Sequence, residues 1–189
     1  MLDVALKFLQ SELNSYLLVR TASSFGDVEL GRPVDDAGRW AITEDHIGSS
    51  LIAIEEERML RSQIPEPTYS NGRHVLLEPD LKLNLHILYA AYFRQYDQAL
   101  KQLSYVLTFF QSHTVFTPDR NPGLDPRIEK LSVELLSLSY EQVNQVWAFL
   151  GGKYLPSAAY RVRLVALQDL EPASANPPIG ELTTVIGRS

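Results

Sequence analysis

Apolar residues recur near the start of the chain at spacings of three and four: Leu2, Leu6, Leu9, Leu13 and Leu17. Lys7, Gln10, Glu12 and Asn14 fall between them, so the spacing predicts an amphipathic helix over 2–18. The pattern then breaks. Residues 21–48 are polar and rich in Gly, Ser and Asp, which predicts a long loop or an irregular hairpin. Residues 49–58 read as a strand, and a turn-rich connector follows with Pro65, Pro67, Asn71, Gly72 and Pro79. Over 81–93 the period becomes two. Leu81, Leu83, Leu85, Ile87, Tyr89, Ala91 and Phe93 share one face of a predicted strand. The other face begins polar, with Lys82, Asn84 and His86, and turns apolar at Leu88 and Ala90.

The second half reads mainly as helix. Asp97 is placed to cap a helix over 98–112, lined by Ala99, Leu103, Val106, Leu107 and Phe110. Residues 114–124 read as a loop. Asp125 before Pro126 is a helix start signal, and Ile128, Leu131 and Leu135 carry that predicted helix to about Leu138. Ser139 and Gln142 match a capping box that opens a further helix, striped by Val143, Val146, Trp147 and Leu150 and ended by Gly151 and Gly152. Residues 159–168 alternate as a last strand. The order predicts an α+β fold: a single domain over 1–168, with a mainly antiparallel sheet, an N-terminal helix and a group of three helices packed on it. Pro172, Pro177 and Pro178 predict an extended, mobile tail over 169–189. Within it, Thr183-Thr184-Val185-Ile186 is β-prone and reads either as a frayed terminus or as an arm that adds a strand to a neighbour's sheet edge.

Composition narrows the function. With 189 residues, 45% of them hydrophobic, the chain can bury a core without metals or disulfides. It has no cysteine, which excludes thiolate catalysis and Cys-ligated metal sites. The net charge of -6 is uneven: residues 1–60 hold eleven Asp or Glu against five Lys or Arg, and the remainder balances twelve against twelve. An acidic chain without a basic stripe is a poor nucleic-acid binder and suits a basic protein surface. No basic-then-apolar leader and no apolar run of membrane length is visible, so the expectation is cytoplasmic assembly with no membrane partner.

Candidate chemistry is sparse. None of His46, His74, His86 and His113 has a second histidine at metal-binding helical spacing. His86 reads as a sheet-face or interface residue, and Glu44-Asp45-His46 reads as a turn before a strand in preference to a cation site. Gly151-Gly152-Lys153 departs from a phosphate loop, because Trp147 stands where a glycine is needed and Tyr154 where Ser or Thr is needed. No catalytic, cofactor or metal residue is therefore expected, and the reading is not an enzyme. Glu55-Glu56-Glu57 is the sharpest charge feature. It is either a solvated strand end or a docking site for basic residues of a neighbouring subunit. Arg58, Lys153, Tyr154, Arg161 and Arg163 complete the interface candidates, since Tyr and Arg are favoured at interfaces. Trp147, Phe149, Tyr154 and Tyr160 are expected to cluster around the helix end and the last strand, as a core cluster or, alternatively, as interface residues.

Several blocks carry a family resemblance. They are Ser50 to Glu57, Leu83-Asn84-Leu85-His86-Ile87-Leu88-Tyr89, Tyr96 to Leu103 running into Phe109-Phe110-Gln111, Val115-Phe116-Thr117, Trp147 to Ser157, and Tyr160-Arg161-Val162-Arg163. In this order, over about residues 2–168, the chain resembles the cap or tail-terminator proteins of extracellular contractile injection systems of the virulence-cassette and antifeeding-prophage type. Ala53, where the family usually has Asn, and Glu78-Pro79-Asp80 depart from the pattern, and longer members carry a C-terminal extension. The resemblance implies a homo-hexameric ring at the end of the particle distal to the baseplate. There it ends polymerisation of the inner tube protein and the sheath protein and joins the two. Another tail or baseplate adaptor is the nearest alternative, and a small hydrolase the alternative of a different class.

Overall fold

A computed structural model describes residues 1–21, 26–57, 81–151 and 153–166, and the backbone of 66–70, 73–77 and 175–176. The chain runs α1 (Leu2–Thr21), β1 (Val28–Leu30), β2 (His46–Glu56), β3 (Glu66–Ser70), β4 (Arg73–Leu77), β5 (Leu81–Tyr92), α2 (Tyr96–Ser112), β6 (Val115–Phe116), β7 (Ile128–Leu136), α3 (Tyr140–Phe149), β8 (Ser157–Ala166) and β9 (Ala175–Asn176). A six-stranded sheet has the order β1-β2-β5-β8-β7-β6, and β3-β4-β9 form a separate three-stranded sheet. The α+β expectation holds. The main sheet is mixed, however, because β1 pairs with β2 in parallel while its other pairings are antiparallel. Arg58 and, apart from β9, the tail from 169 lie outside the described residues.

The period-two pattern of β5 decides how the sheet buries its faces. Leu85, Ile87 and Tyr89 point to one side with Tyr160, Val162 and Leu164 of β8 and Leu131 and Val133 of β7. Against them pack Leu9, Leu13 and Leu17 of α1 and Val106, Phe109 and Phe110 of α2. Burial pushes the Tyr89 phenol well above its ordinary value and Tyr160 up to about 12, so both hydroxyls stay neutral in this core. On the opposite face Leu88, Ala90 and Ala159 meet Ile42 and Trp147 in a smaller cluster. Gly48 lies opposite Ala90, and a Cβ there would stand 2.5 Å from Ile42 Cδ1. The missing side chain is what lets Ile42 close on the sheet.

The predicted loop at 21–48 is a packed excursion. Asp35 turns it: its carboxylate accepts from Ala37 N–H at 2.9 Å and Arg39 N–H at 2.8 Å, Gly38 takes φ +75°, and Val34 bridges Trp40. Trp40 then packs on Tyr92 and Trp147, with centroids at 5.6 and 6.1 Å. The hairpin reading is therefore correct for its middle, while Val28–Leu30 adds an unforeseen strand.

Other expectations differ from the structure, including the loop over 114–124, which contains β6. The helix expected from Asp125 to Leu138 is β7, so three helices exist among the described residues, where the N-terminal helix and a group of three were expected. A register shift between Ile128 and Lys130 brings Ile128 onto the face of Leu131, and this three-residue spacing imitates a helix. Asp97 does not cap α2. Gln95 occupies that position without a side-chain cap, and Asp97 sits in the first turn, where its charge still suits the helix dipole. The expected aromatic cluster is split, since Trp147 and Tyr160 are buried in different clusters on opposite faces of the sheet, while Phe149 and Tyr154 are exposed. By contrast, Ser139 and Gln142 do form the predicted capping box, and Gly151 adopts φ +71° past the end of α3.

Candidate functional site

Cross-strand register assembles a charged patch from residues distant in sequence. On the face that α3 covers elsewhere, Glu55, Asn84, Arg163 and Ser132 form one row, and Ala53, His86, Arg161 and Glu134 form the next. The acidic side chains sit on the flanking strands β2 and β7, and the bases sit between them. His86 Nε2 is 3.5 Å from Glu55 Oε2, and Arg161 Nη1 is 3.6 Å from Glu134 Oε2. Glu57 accepts from Asn84 Nδ2 at 3.3 Å and lies 4.0 Å from Arg163 Nη2. Asn84 Oδ1, Arg161 Nε and Arg163 Nε are buried without a hydrogen-bond partner, which leaves polar capacity in the patch.

The structure thus gathers four of the sequence candidates, Glu55, Glu57, Arg161 and Arg163, with His86 and Asn84. Glu134 was missed, because the helix reading of 125–138 gave it no strand neighbours. Glu56 alternates to the opposite face beside Leu83. Lys153 and Tyr154 are exposed on the α3–β8 connection, near the opposite end of β8 from Arg163, and Tyr154 stands edge-on to Trp147 at 6.1 Å. The acidic triplet is therefore divided between the two faces of the sheet. Two of its members are drawn onto bases of the same chain.

Those contacts differ in strength because they differ in exposure. The Glu55 side chain is 59% exposed, against 15% for Glu57. Glu55→Gln is expected to cost less than ~0.5 kcal/mol, as exposed pairs do. Glu57→Ala is expected to cost about 1–2 kcal/mol, because it strips a charge-accepting partner from nearly buried Asn84. Urea titrations of the two variants check the order, and a larger loss at Glu55 contradicts this geometry.

A second ionic contact fixes the turn before β2. Asp45, at φ +64°, accepts from Arg94 N–H at 3.1 Å and from Arg94 Nε at 2.9 Å. The Arg94 hydrogen bonds hold the Asp45 carboxyl below its usual range. Together with His46 Nδ1, which contacts Glu44 O at 2.9 Å, this makes Glu44-Asp45-His46 a structural turn. Among the described residues no group of three or more His, Asp or Glu is placed to hold a metal ion, and no helix is long and apolar enough to cross a membrane.

The family model described as the Pvc16 N-terminal domain matches residues 5–181. A comparison with curated proteins gives no match. Among solved structures, the chain is similar to the sheath/tube terminator of PVC, an extracellular contractile injection system, in its extended state. The TM-score is 0.64 at 18% identity, over 100% of this chain and 64% of that one. It is also similar to the tube-terminating cap of the anti-feeding prophage, with a TM-score of 0.57 at 16% identity, over 94% of this chain and 60% of that one. The chain thus spans just under two thirds of the solved chains it matches. At these identities the likeness shows a shared fold.

Proposed function

Because the chain belongs to the family of the Pvc16 N-terminal domain, we propose that it is a structural cap subunit of a contractile injection system and acts without catalysis. It ends tube and sheath growth and joins the two polymers. The observation that carries this reading is that the whole chain overlays on a protein described as a sheath/tube terminator. The fold of the second neighbour, described as a tube-terminating cap, supports it.

The physical requirements of such a subunit match this surface. A terminator must bind a polymer end more tightly than the next polymer subunit does, and it must offer no copy of the templating face. A subunit on a six-fold tube does so by closing a ring through heterologous contacts. The mixed-charge patch around Glu55, His86, Arg161 and Arg163 suits a register-specific contact, because misplacement brings like charges together. The ring is a homo-hexamer at the end distal to the baseplate, and its partners are the inner tube and sheath proteins. Residues 1–168 form the terminator-like domain and 169–189 the tail.

Particles made without this protein are expected to show uneven or overlong tubes, or sheath loosely attached at the distal end. Negative-stain imaging of tube lengths measures this. Deletion particles of normal length with firm sheath, or labelled protein found only at the baseplate, overturn the cap reading.

A further inference from the structure

A sheet edge is a row of unpaired backbone donors and acceptors, and a folded protein either closes each edge or offers it to a partner. Three ways of treating an edge appear in the main sheet. At β1 the edge is closed by a helix. Asn14 accepts the Val28 N–H at 2.7 Å, and Gln10 and Asn14 donate to the Val28 carbonyl at 2.7 and 3.2 Å. Beyond β1, which covers β2 only at Ile47–Ser49, the β2 edge bulges between Leu51 and Ala53 and carries Glu55 and Glu56. A bulge and charge both disfavour strand addition.

The third edge, on β7, bulges between Ile128 and Lys130 and carries Glu134, but the bulge lies far from its last residues, Leu135 and Leu136, and those two are uncharged. β6 pairs with β7 only at Leu131 and Ser132, and the Thr114 carbonyl takes the Val133 N–H at 2.8 Å. Since the Val133 N–H points away from β8, strand alternation turns the Leu135 N–H and carbonyl the same way. Among the described residues no strand lies beyond them. The side chains there are apolar and open: Leu135 is 51% exposed and Leu107 of α2 is 37% exposed. Beside them runs an apolar groove of about 280 Å³ lined by Leu103, Leu107, Leu135, Leu138, Val143 and Trp147.

We propose that this open end of β7 receives residues 182–186 of a second copy as an added strand. This rests on the reading that the protein assembles with itself. The occupant follows from the chain that leaves the described structure. Six residue steps separate Asn176 from Leu182, a reach of roughly 20 Å when extended. From there Leu182-Thr183-Thr184-Val185-Ile186 is an uncharged, β-branched run. On an added strand Leu182, Thr184 and Ile186 share one face, so the two large apolar side chains enter the groove beside Leu135 and Leu107. The backbone of the run supplies hydrogen-bond partners on the side of Leu135 that faces away from β8.

The absence of native cysteine makes a disulfide test clean. Leu135→Cys protein is mixed with Thr183→Cys, Thr184→Cys or Val185→Cys protein under mild oxidation. At least one pairing is expected to yield about tenfold more covalent heterodimer than Leu135→Cys with the exposed control Val19→Cys, because docking raises the local thiol concentration. Circular dichroism confirms that each variant is folded. Heterodimer at the control level with all three partners overturns the proposal. So does a double variant, Leu135→Cys with Val185→Cys, that closes only within its own chain. Rings or caps that form normally in either case leave the cap reading standing, since particle imaging decides that separately.

Discussion

Trp147→Ala is expected to destabilise the protein by about 3–5 kcal/mol, the range for removing a large aromatic side chain from a packed site. Trp147 is 4% exposed, the one buried side chain of α3, and it holds two further elements to the sheet. Trp40 stands edge-on to it at 6.1 Å and ties down the 33–42 excursion, while Tyr154 contacts it from the α3–β8 connection. Losing the indole therefore leaves a cavity over Leu88, Ala90 and Ala159 and unfastens both neighbours. Chemical denaturation monitored by the remaining Trp40 reads the loss, and α3 amides should lose exchange protection first. A loss below ~1.5 kcal/mol contradicts the packing described, as volume-conserving core changes usually stay under that figure. Trp147→Phe retains much of the contact and should fall well short of the alanine effect.

Asn14→Leu is the second large effect, expected at about 2–4 kcal/mol, since a buried backbone N–H left without an acceptor carries its full desolvation penalty and a second hydrogen bond is lost with it. Val28 is 1% exposed, so water does not replace the Asn14 side chain easily. Gln10 continues to donate to the Val28 carbonyl, which keeps the loss below complete exposure of β1. Asn14→Asp is the informative partner variant. It keeps an acceptor for the Val28 N–H and is expected to retain about half of the stability that Asn14→Leu loses, in line with one hydrogen bond kept of two. Hydrogen exchange at the Val28 amide separates the two outcomes: it should accelerate strongly in Asn14→Leu and little in Asn14→Asp. Equal exchange in both variants contradicts the role assigned to the Asn14 side chain.

Where one physical signal dominates, the sequence was sufficient. The leucine stripe of α1, the alternation of β5 and the capping box of α3 are local patterns, and each element formed where its pattern lies. The resemblance blocks likewise pointed to the family that matches residues 5–181. Tertiary structure decided what local pattern leaves ambiguous. The bulge after Ile128 put Ile128 and Leu131 on one face of a strand at helical spacing, and only pairing with β8 resolves strand from helix there. The parallel pairing of β1 was invisible, because its edge is closed by Asn14 and Gln10, two polar residues that read as the solvated face of α1. The charged patch was half legible. Glu55, Glu57, Arg161 and Arg163 stand out by charge, but Glu134 joins them only through the β7–β8 register, and Glu56 leaves them only because successive strand residues face opposite ways. Charge can be read residue by residue, whereas a surface exists only once register has fixed which residues are neighbours.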